Sequence, residues 1–415
     1  MKKLADYSRS VVLQCPQCGA PVTLEEDDRI LSCQFCRVRL ILFYPGVPRY
    51  LLEPYPPSII EEELYYAPYW RIRGLALPGL PYRGEERFVD FTCQAINLPF
   101  LPLDLGLQAR AFKLGILSSQ KKGILLKPEI DLKNLWPQLP GEKEIEEGPE
   151  ILIARDLIAP SIGLVYAPFI IKKGLIFEGL GNRLLGNAEG FDPANSPTEE
   201  PDPGWLIKFK PTLCPYCGAD LDGSKETLVF ICRNCDRAWE SHQEGLKRIA
   251  FRFMGTGGNG SFCWIPFWRI TMENGEGINS VCFSTPRSSQ DPERKSKETR
   301  ESHLWFPAFR IAPSLFLTII RAVNFRSPEV FPLKAEVPQG NCHPVTISGK
   351  QALEGMKFHG LSLLKPFNLQ AGQFCCGSED PLLVYLPFHL QGSEWVQEEI
   401  SLGINKNALT FGQLL

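Results

Sequence analysis

Fourteen cysteines occur in this chain of 415 residues, and eight of them fall into two sets with one spacing. Cys15, Cys18, Cys33 and Cys36 form the first set. Cys214, Cys217, Cys232 and Cys235 form the second. Each set reads C-x2-C, fourteen intervening residues, then C-x2-C, and corresponding cysteines lie 199 positions apart. A C-x2-C turn lets two thiolates converge on one ion, and two such turns complete a tetrahedron. Gly19 and Gly218 follow the second cysteine of each leading pair, where the turn favours a residue without a Cβ. Pro16 and Pro215 stiffen the same turns. Four thiolates leave the metal no open position, so the ion would fold the segment and catalyse nothing.

The matching stretches "CPQCGA…CQFC" and "CPYCGA…CRNC" resemble zinc ribbons, as found in small RNA polymerase subunits and general transcription factors. The resemblance covers roughly thirty residues per set and implies two structural Zn2+ ions per chain. It implies no function, because ribbons occur in nucleic-acid binders, enzymes and scaffolds. The rest of the chain carries no resemblance to a family. Metal-free thiols and a rubredoxin-like iron site are the alternatives. The rubredoxin family shows aromatic residues close around its first knuckle, and "CPQCGAP" lacks them.

The elements that must carry these sites are doubled as well. "APYWRI" (67–72) recurs as "IPFWRI" (265–270). "PLDLGLQARAF" (102–112) aligns with "PSLFLTIIRAV" (313–323), and "LVYAPF" (164–169) recurs as "LVYLPF" (383–388). The order is the same in both halves. A polar, charged stretch at 285–302 accounts for the drift in spacing and reads as an exposed insertion. The predicted organisation is a zinc ribbon at 10–50, a β-rich domain at 51–187, a proline-rich acidic linker at 188–204, a second ribbon at 205–248 and a second β-rich domain at 249–415. The fold class is mainly β with short helices (α+β), internally duplicated. "ERFVDFTCQAINL" and "GINSVCFST" read as strands. "LVYAPFIIKKGLIFEGL" reads as strand, Lys-Lys-Gly turn, strand, and "LVYLPFHLQGSEWVQEEISL" reads the same way. The 102–112 and 313–323 pieces, each with proline at the first position and apolar spacing near 3.6, read as short helices.

Other candidates carry bland readings beside sharp ones. Trp70 and Trp268 would line a groove, with Arg71 and Arg269 meeting a carboxylate or phosphate. Alternatively the aromatic residues pack a core and each arginine points out or pairs with an acid. Glu61 to Glu63 read as a solvated face. The 255–260 stretch "GTGGNG" lacks the Gly-Lys-Ser/Thr ending of a phosphate loop and reads as a flexible hairpin. Cys342, His343, Cys375 and Cys376 would make a third site only if the fold gathers them; buried thiols are the simpler expectation. No nucleophile, base and orienting group stand out, so no catalytic or cofactor-binding residue is assigned.

The net charge is −3, with 22 basic and 27 acidic residues up to Gly204 and 22 and 20 beyond it. Neither half has the positive balance of a dedicated nucleic-acid binder. Arg37, Arg39, Arg233, Arg237, Lys247 and Arg248 keep that reading open locally. No stretch reaches the roughly 18 apolar residues of a membrane span, and "MKKLADYSRSVVLQC" lacks the apolar run of a signal peptide. Location is therefore expected to be cytoplasmic, with thiols reduced. The expected function is a non-enzymatic scaffold or adaptor that binds another protein. Nucleic-acid binding through the ribbons is the alternative, and an enzyme with its site between the halves the third.

Overall fold

A computed structural model describes residues 10–54, 63–76, 87–106, 114–117, 122–131, 157–181, 183–188, 191–192, 195–255, 262–271, 303–326, 332–363 and 380–412. The expected insertion at 285–302, the strand "GINSVCFST", Cys282, Cys375, Cys376, Glu61 and Glu62, most of "GTGGNG" and residues 107–112 lie outside them.

The structure is mainly β. The longest strands come from the repeated motifs. In the first half, β6 (Leu64–Ala76) pairs antiparallel with β10 (Leu157–Lys172), setting Trp70 opposite Leu164, Pro68 opposite Tyr166 and Tyr66 opposite Pro168. In the second half, β19 (Phe262–Thr271) pairs antiparallel with β23 (Leu382–Gln391), setting Trp268 opposite Leu383, Pro266 opposite Tyr385 and Trp264 opposite Pro387. Both tryptophans donate their indole N–H to a backbone carbonyl at 2.8 Å, Trp70 to Ile130 and Trp268 to Ile347.

Proline in a central strand removes a ladder hydrogen bond and is normally excluded. Here each proline falls where its strand changes neighbours. β6 pairs with β7 (Arg87–Gln94) over residues 69–76 and with β9 (Ile124–Leu126) at Tyr65 and Tyr66, and Pro68 lies between. β19 pairs with β20 (His303–Pro307) from Phe267 onward and with β22 (Asn341–Cys342) at Cys263 and Trp264, bracketing Pro266. β10 pairs with β5 (Arg49–Leu52) at 164–166 and with β11 (Leu175–Glu178) at 169–172, bracketing Pro168. β23 pairs with β18 (Phe251–Met254) at 383–385 and with β24 (Glu394–Gln397) at 389–391, bracketing Pro387. At each switch no neighbour needs the missing N–H. The β10–β11 turn is Lys173-Gly174, with φ of 52° and 75°, as the Lys-Lys-Gly signal predicts.

β10 is buried on both faces, and its side chains alternate between two clusters. Val165, Ala167 and Phe169 join one, and Leu164, Tyr166 and Ile170 join the other, as the period of two dictates. Among the described residues the first-half sheet has eleven strands. It is extended by β8 (Leu114–Ile116), β12 (Leu184–Asn187) and β13 (Thr198–Glu199), and by β1 (Ser10–Gln14) and β2 (Pro21–Glu25) from the first cysteine module. β13 lies inside the segment read as a linker. Glu199 accepts from Arg49 at 2.9 Å and from the Tyr166 hydroxyl, and Trp205 lies under the Arg49 guanidinium at 3.7 Å.

Among the described residues the second-half sheet has eight strands, completed by β21 (Leu333–Lys334) and β25 (Leu402–Asn405). Three helices occur among the described residues: Pro313–Arg326, Gly349–Leu363 and Lys406–Gly412. The first matches the helix expected at 313–323 and buries Phe316, Leu317, Ile319, Ile320 and Val323. The second was not foreseen. Its signal was present as Ser348 with Gln351 three residues on: Gln351 N–H donates to Ser348 Oγ at 3.2 Å and Ser348 N–H to Gln351 Oε1 at 3.1 Å, a capping box. The two halves share a core, since Leu75, Ile158 and Ala159 from the first pack among Phe306, Met356 and their neighbours in the second. Among the described residues no helix is long and apolar enough to cross a membrane.

Candidate metal centres

Each leading cysteine pair closes a turn of the same form. Gly19 N–H donates to the Cys15 carbonyl at 2.8 Å and Cys15 N–H to the Ala20 carbonyl at 2.8 Å; Gly218 and Cys214 repeat this at 2.9 and 2.8 Å. Gly19 and Gly218 take φ of 73° and 74°, the left-handed region where a Cβ is costly. In the trailing pairs that position is held by Arg37 (φ 60°) and Asp236 (φ 49°), so the turn is imposed there on residues that resist it.

These turns bring the sulfurs together. Cys15 and Cys36 lie 3.8 Å apart, Cys18 and Cys33 3.7 Å, Cys214 and Cys235 3.7 Å, and Cys217 and Cys232 3.5 Å. Within each set all four ligand atoms lie within 4.8 Å of one another. A tetrahedral zinc with bonds of about 2.3 Å requires sulfurs about 3.8 Å apart. Both clusters could hold a metal ion. The remaining donors outside these sets form no further group of this kind among the described residues.

The surroundings favour thiolate at some positions and oppose it at others. Backbone N–H groups of Cys36 and Phe35 hold the Cys33 thiol down to about 7, and the Asn234 side chain with the Ala219 N–H holds Cys217 down to about 6. Cys235 is pushed up to about 12 by desolvation and by the thiols of Cys232 and Cys217. A divalent cation removes that conflict, because ligation requires deprotonated sulfur and releases the protons.

The first cysteine of each pair is buried (Cys15, Cys33, Cys214, Cys232), whereas Cys18, Cys36 and Cys217 are exposed. The buried ones are core residues. Cys15 and Cys33 pack with Val22, Leu24, Leu31 and Leu42. Cys214 and Cys232 pack with Phe230 and Leu221, and also with Ile30, Ile41 and Phe43 of the first module. β3 (Ile30–Ser32) and β4 (Arg39–Phe43) are joined in one sheet by β14 (Lys208–Pro211), the strand that leads into the second quartet. The second module continues as β15 (Val229–Cys232), β16 (Arg237–His242) and β17 (Gly245–Ile249). Arg29 and Ile30 N–H groups donate to the Lys225 carbonyl at 2.5 and 3.1 Å. The two modules therefore form one body.

Where both modules meet both halves lies a cleft of about 940 Å³, with Asp27, Arg29, Glu226, Glu240, His242 and Arg310 in its wall. Burial and the carboxylates of Asp27, Asp28 and Glu25 push Glu226 up to about 7. Glu240 accepts from the Gly349 N–H at 3.2 Å, at the helix start, and lies 3.2 Å from His242 Nε2.

The other sequence candidates are distributed as follows. Trp268 is 1% exposed and Trp70 half-buried, both in apolar clusters, so neither lines a groove. Arg71 is buried between Glu26 at 3.2 Å and Asp90 at 3.4 Å. Burial raises the Cys342 thiol to about 12, with the nearby Arg233 acting the other way. His343 lies against the Phe309 ring and burial holds it down to about 4. Cys342 and His343 join no metal-binding group among the described residues. No family model, no curated protein and no solved structure matches this chain.

Proposed function

We propose that this protein is a non-enzymatic scaffold in which two structural Zn2+ ions, one per quartet, stabilise a duplicated β-rich platform for binding another protein. The observation that carries the metal part is the gathering of four sulfurs within 4.8 Å in each quartet, with two pairs in each at 3.5–3.8 Å, close to the span that a zinc tetrahedron requires. Burial of one cysteine of each pair in an apolar cluster supports a structural role over a catalytic one. Duplication, with ribbons at 10–50 and 205–248 and β-rich domains at 51–187 and 249–415, draws support from the registers of β6–β10 and β19–β23. Each places tryptophan opposite leucine and keeps proline at the partner switch.

Nucleic-acid binding is the weaker reading, because four of the six cations that would meet phosphates have intramolecular partners. Arg233 donates to Asp222 at 2.8 Å and to the Pro338 and Gly340 carbonyls at 2.9 and 3.0 Å. Arg39 donates to the Gly223 carbonyl at 3.2 Å, Lys247 pairs with Asp380 at 2.8 Å, and Arg237 stacks on Tyr216 at 3.0 Å. Phosphate neutralisation dominates nonspecific binding, so its absence is the expectation. A titration with labelled single- and double-stranded oligonucleotides at two salt concentrations checks this. Micromolar binding that weakens steeply with salt would overturn the scaffold reading. The enzyme reading rests on the carboxylates and His242 in the cleft, which Ser161, Ser241 and Ser348 also line, with His242 Nε2 meeting Glu240.

A further inference from the structure

Asp27 occupies the turn between β2 and β3, midway between the two cysteine pairs of the first module. The turn is closed on itself, since Asp28 N–H donates to the Glu25 carbonyl at 3.0 Å and Glu25 N–H to Asp28 Oδ2 at 3.1 Å. Asp27 leaves its own module entirely. Arg73 of β6, in the first half, grips both carboxylate oxygens at 2.9 and 3.0 Å. Arg310, between β20 and the helix Pro313–Arg326 in the second half, reaches Oδ1 at 3.1 Å. Arg73 is 4% exposed and Glu26, beside Asp27, is 5% exposed. Although burial pushes the Asp27 carboxyl up, Arg73 and Arg310 outweigh it and hold the group well below the usual carboxylate range.

One anion from the first module is thus shared by cations from the two halves, at the wall of the cleft. Without it, Arg73 and Arg310 would face each other as like charges in a poorly solvated place. The turn is presented by β2 and β3, whose cluster contains Cys15 and Cys33, so its position depends on whatever folds the quartet. We infer that Asp27 makes the first cysteine module a metal-dependent clamp, which holds the two halves together across the cleft when Cys15, Cys18, Cys33 and Cys36 are loaded and releases them when they are not. The inference rests on the proposed metal occupancy of that quartet. Release would not separate the halves, because Ile158 and Ala159 stay in the second-half core and Gln351 Nε2 still donates to the Pro160 carbonyl at 2.8 Å. It would loosen that contact.

The test is backbone hydrogen exchange on the full chain, with metal content measured on the same samples. Asp27→Asn and Arg310→Gln should both retain two metals and both exchange at least tenfold faster at 157–162 and in the first turns of the helix Gly349–Leu363. Amides of β23 in the core should be unchanged. Cys33→Ser, with metal in excess so that the second quartet stays loaded, should show the same pattern. Arg310→Gln breaks only the second-half arm and leaves the module intact, so it guards against misfolding of the Asp27 variant. Metal retained with unchanged exchange in Asp27→Asn and Arg310→Gln would overturn the clamp and leave the metal reading standing. Absence of metal from the unmodified chain would overturn the metal reading itself.

Discussion

The two cysteine modules are built alike and attached by different chemistry. The first docks through acids in the turn between its cysteine pairs: Glu26 and Asp27 meet Arg71, Arg73 and Arg310, all poorly exposed. The second docks mainly by packing, since Val229, Ile231 and Ala238 join the second-half core, and its trailing knuckle adds polar contacts, where Arg233 donates to the Pro338 and Gly340 carbonyls and Asp236 accepts from Val337 N–H at 3.0 Å. The first contact buries charge against charge, so breaking one partner strands the other in a low-dielectric place. The second is apolar packing, and only its knuckle contacts use exposed groups and backbone carbonyls that water can replace. Similar modules can therefore contribute very differently to the same molecule.

The largest expected effect breaks the first module. Cys33→Ser should reduce the metal content from two ions to one. Because Ile30, Ile41 and Phe43 share a cluster with Cys214 and Cys232, it should also weaken metal retention at the second quartet at least tenfold. A chelator competition on that variant checks the coupling; unchanged retention would show two independent modules.

Next come the two tryptophans. Trp268→Ala, at a site 1% exposed, should destabilise by roughly 3–5 kcal/mol. Trp70→Ala, half-buried, should cost about half as much. Chemical denaturation followed by circular dichroism distinguishes them, and equal losses would remove the difference between the halves.

His343 sharpens the comparison on the second side. Burial holds it down to about 4, against an ordinary value of 6.5. The unfolded chain takes up a proton as pH falls through about 6.5 while the folded chain does not until about 4, so stability is lost over that window, by up to roughly 3 kcal/mol. His343→Phe should flatten that part of the profile. Asp27, held low, works the same way at lower pH: its contribution is present above about 4 and fades below it, and Asp27→Asn should abolish that limb. The smallest effect is expected for Pro387→Ala, within about 1 kcal/mol, because no neighbouring strand uses the N–H at the partner switch. A larger loss would mean that proline holds the bend itself.

The metal geometry was legible in the sequence because ligand spacing is local: C-x2-C fixes a turn whatever surrounds it. The paired motifs were legible too, but their reason was not. Nothing in "APYWRI" states that the neighbours of β6 change at Pro68; that depends on β7 and β9, which arrive from 87–94 and 124–126. Arg71 pairs with acids, one of the arrangements its motif allows, yet the acids are Glu26 and Asp90, remote in sequence. The helix Gly349–Leu363 is hard to read from the sequence because its glycines obscure the apolar period, although Gly355 is needed where a Cβ would come within 2.9 Å of the Phe306 ring. The cleft is assembled from stretches of both modules and both halves, and only tertiary packing brings Glu226 beside Asp27.

The most direct measurement is elemental analysis of the purified full chain combined with X-ray absorption at the zinc edge. The account predicts two zinc ions per chain, each surrounded by four sulfurs at about 2.3 Å. A single zinc, iron in both sites, or nitrogen and oxygen in the inner sphere would contradict it.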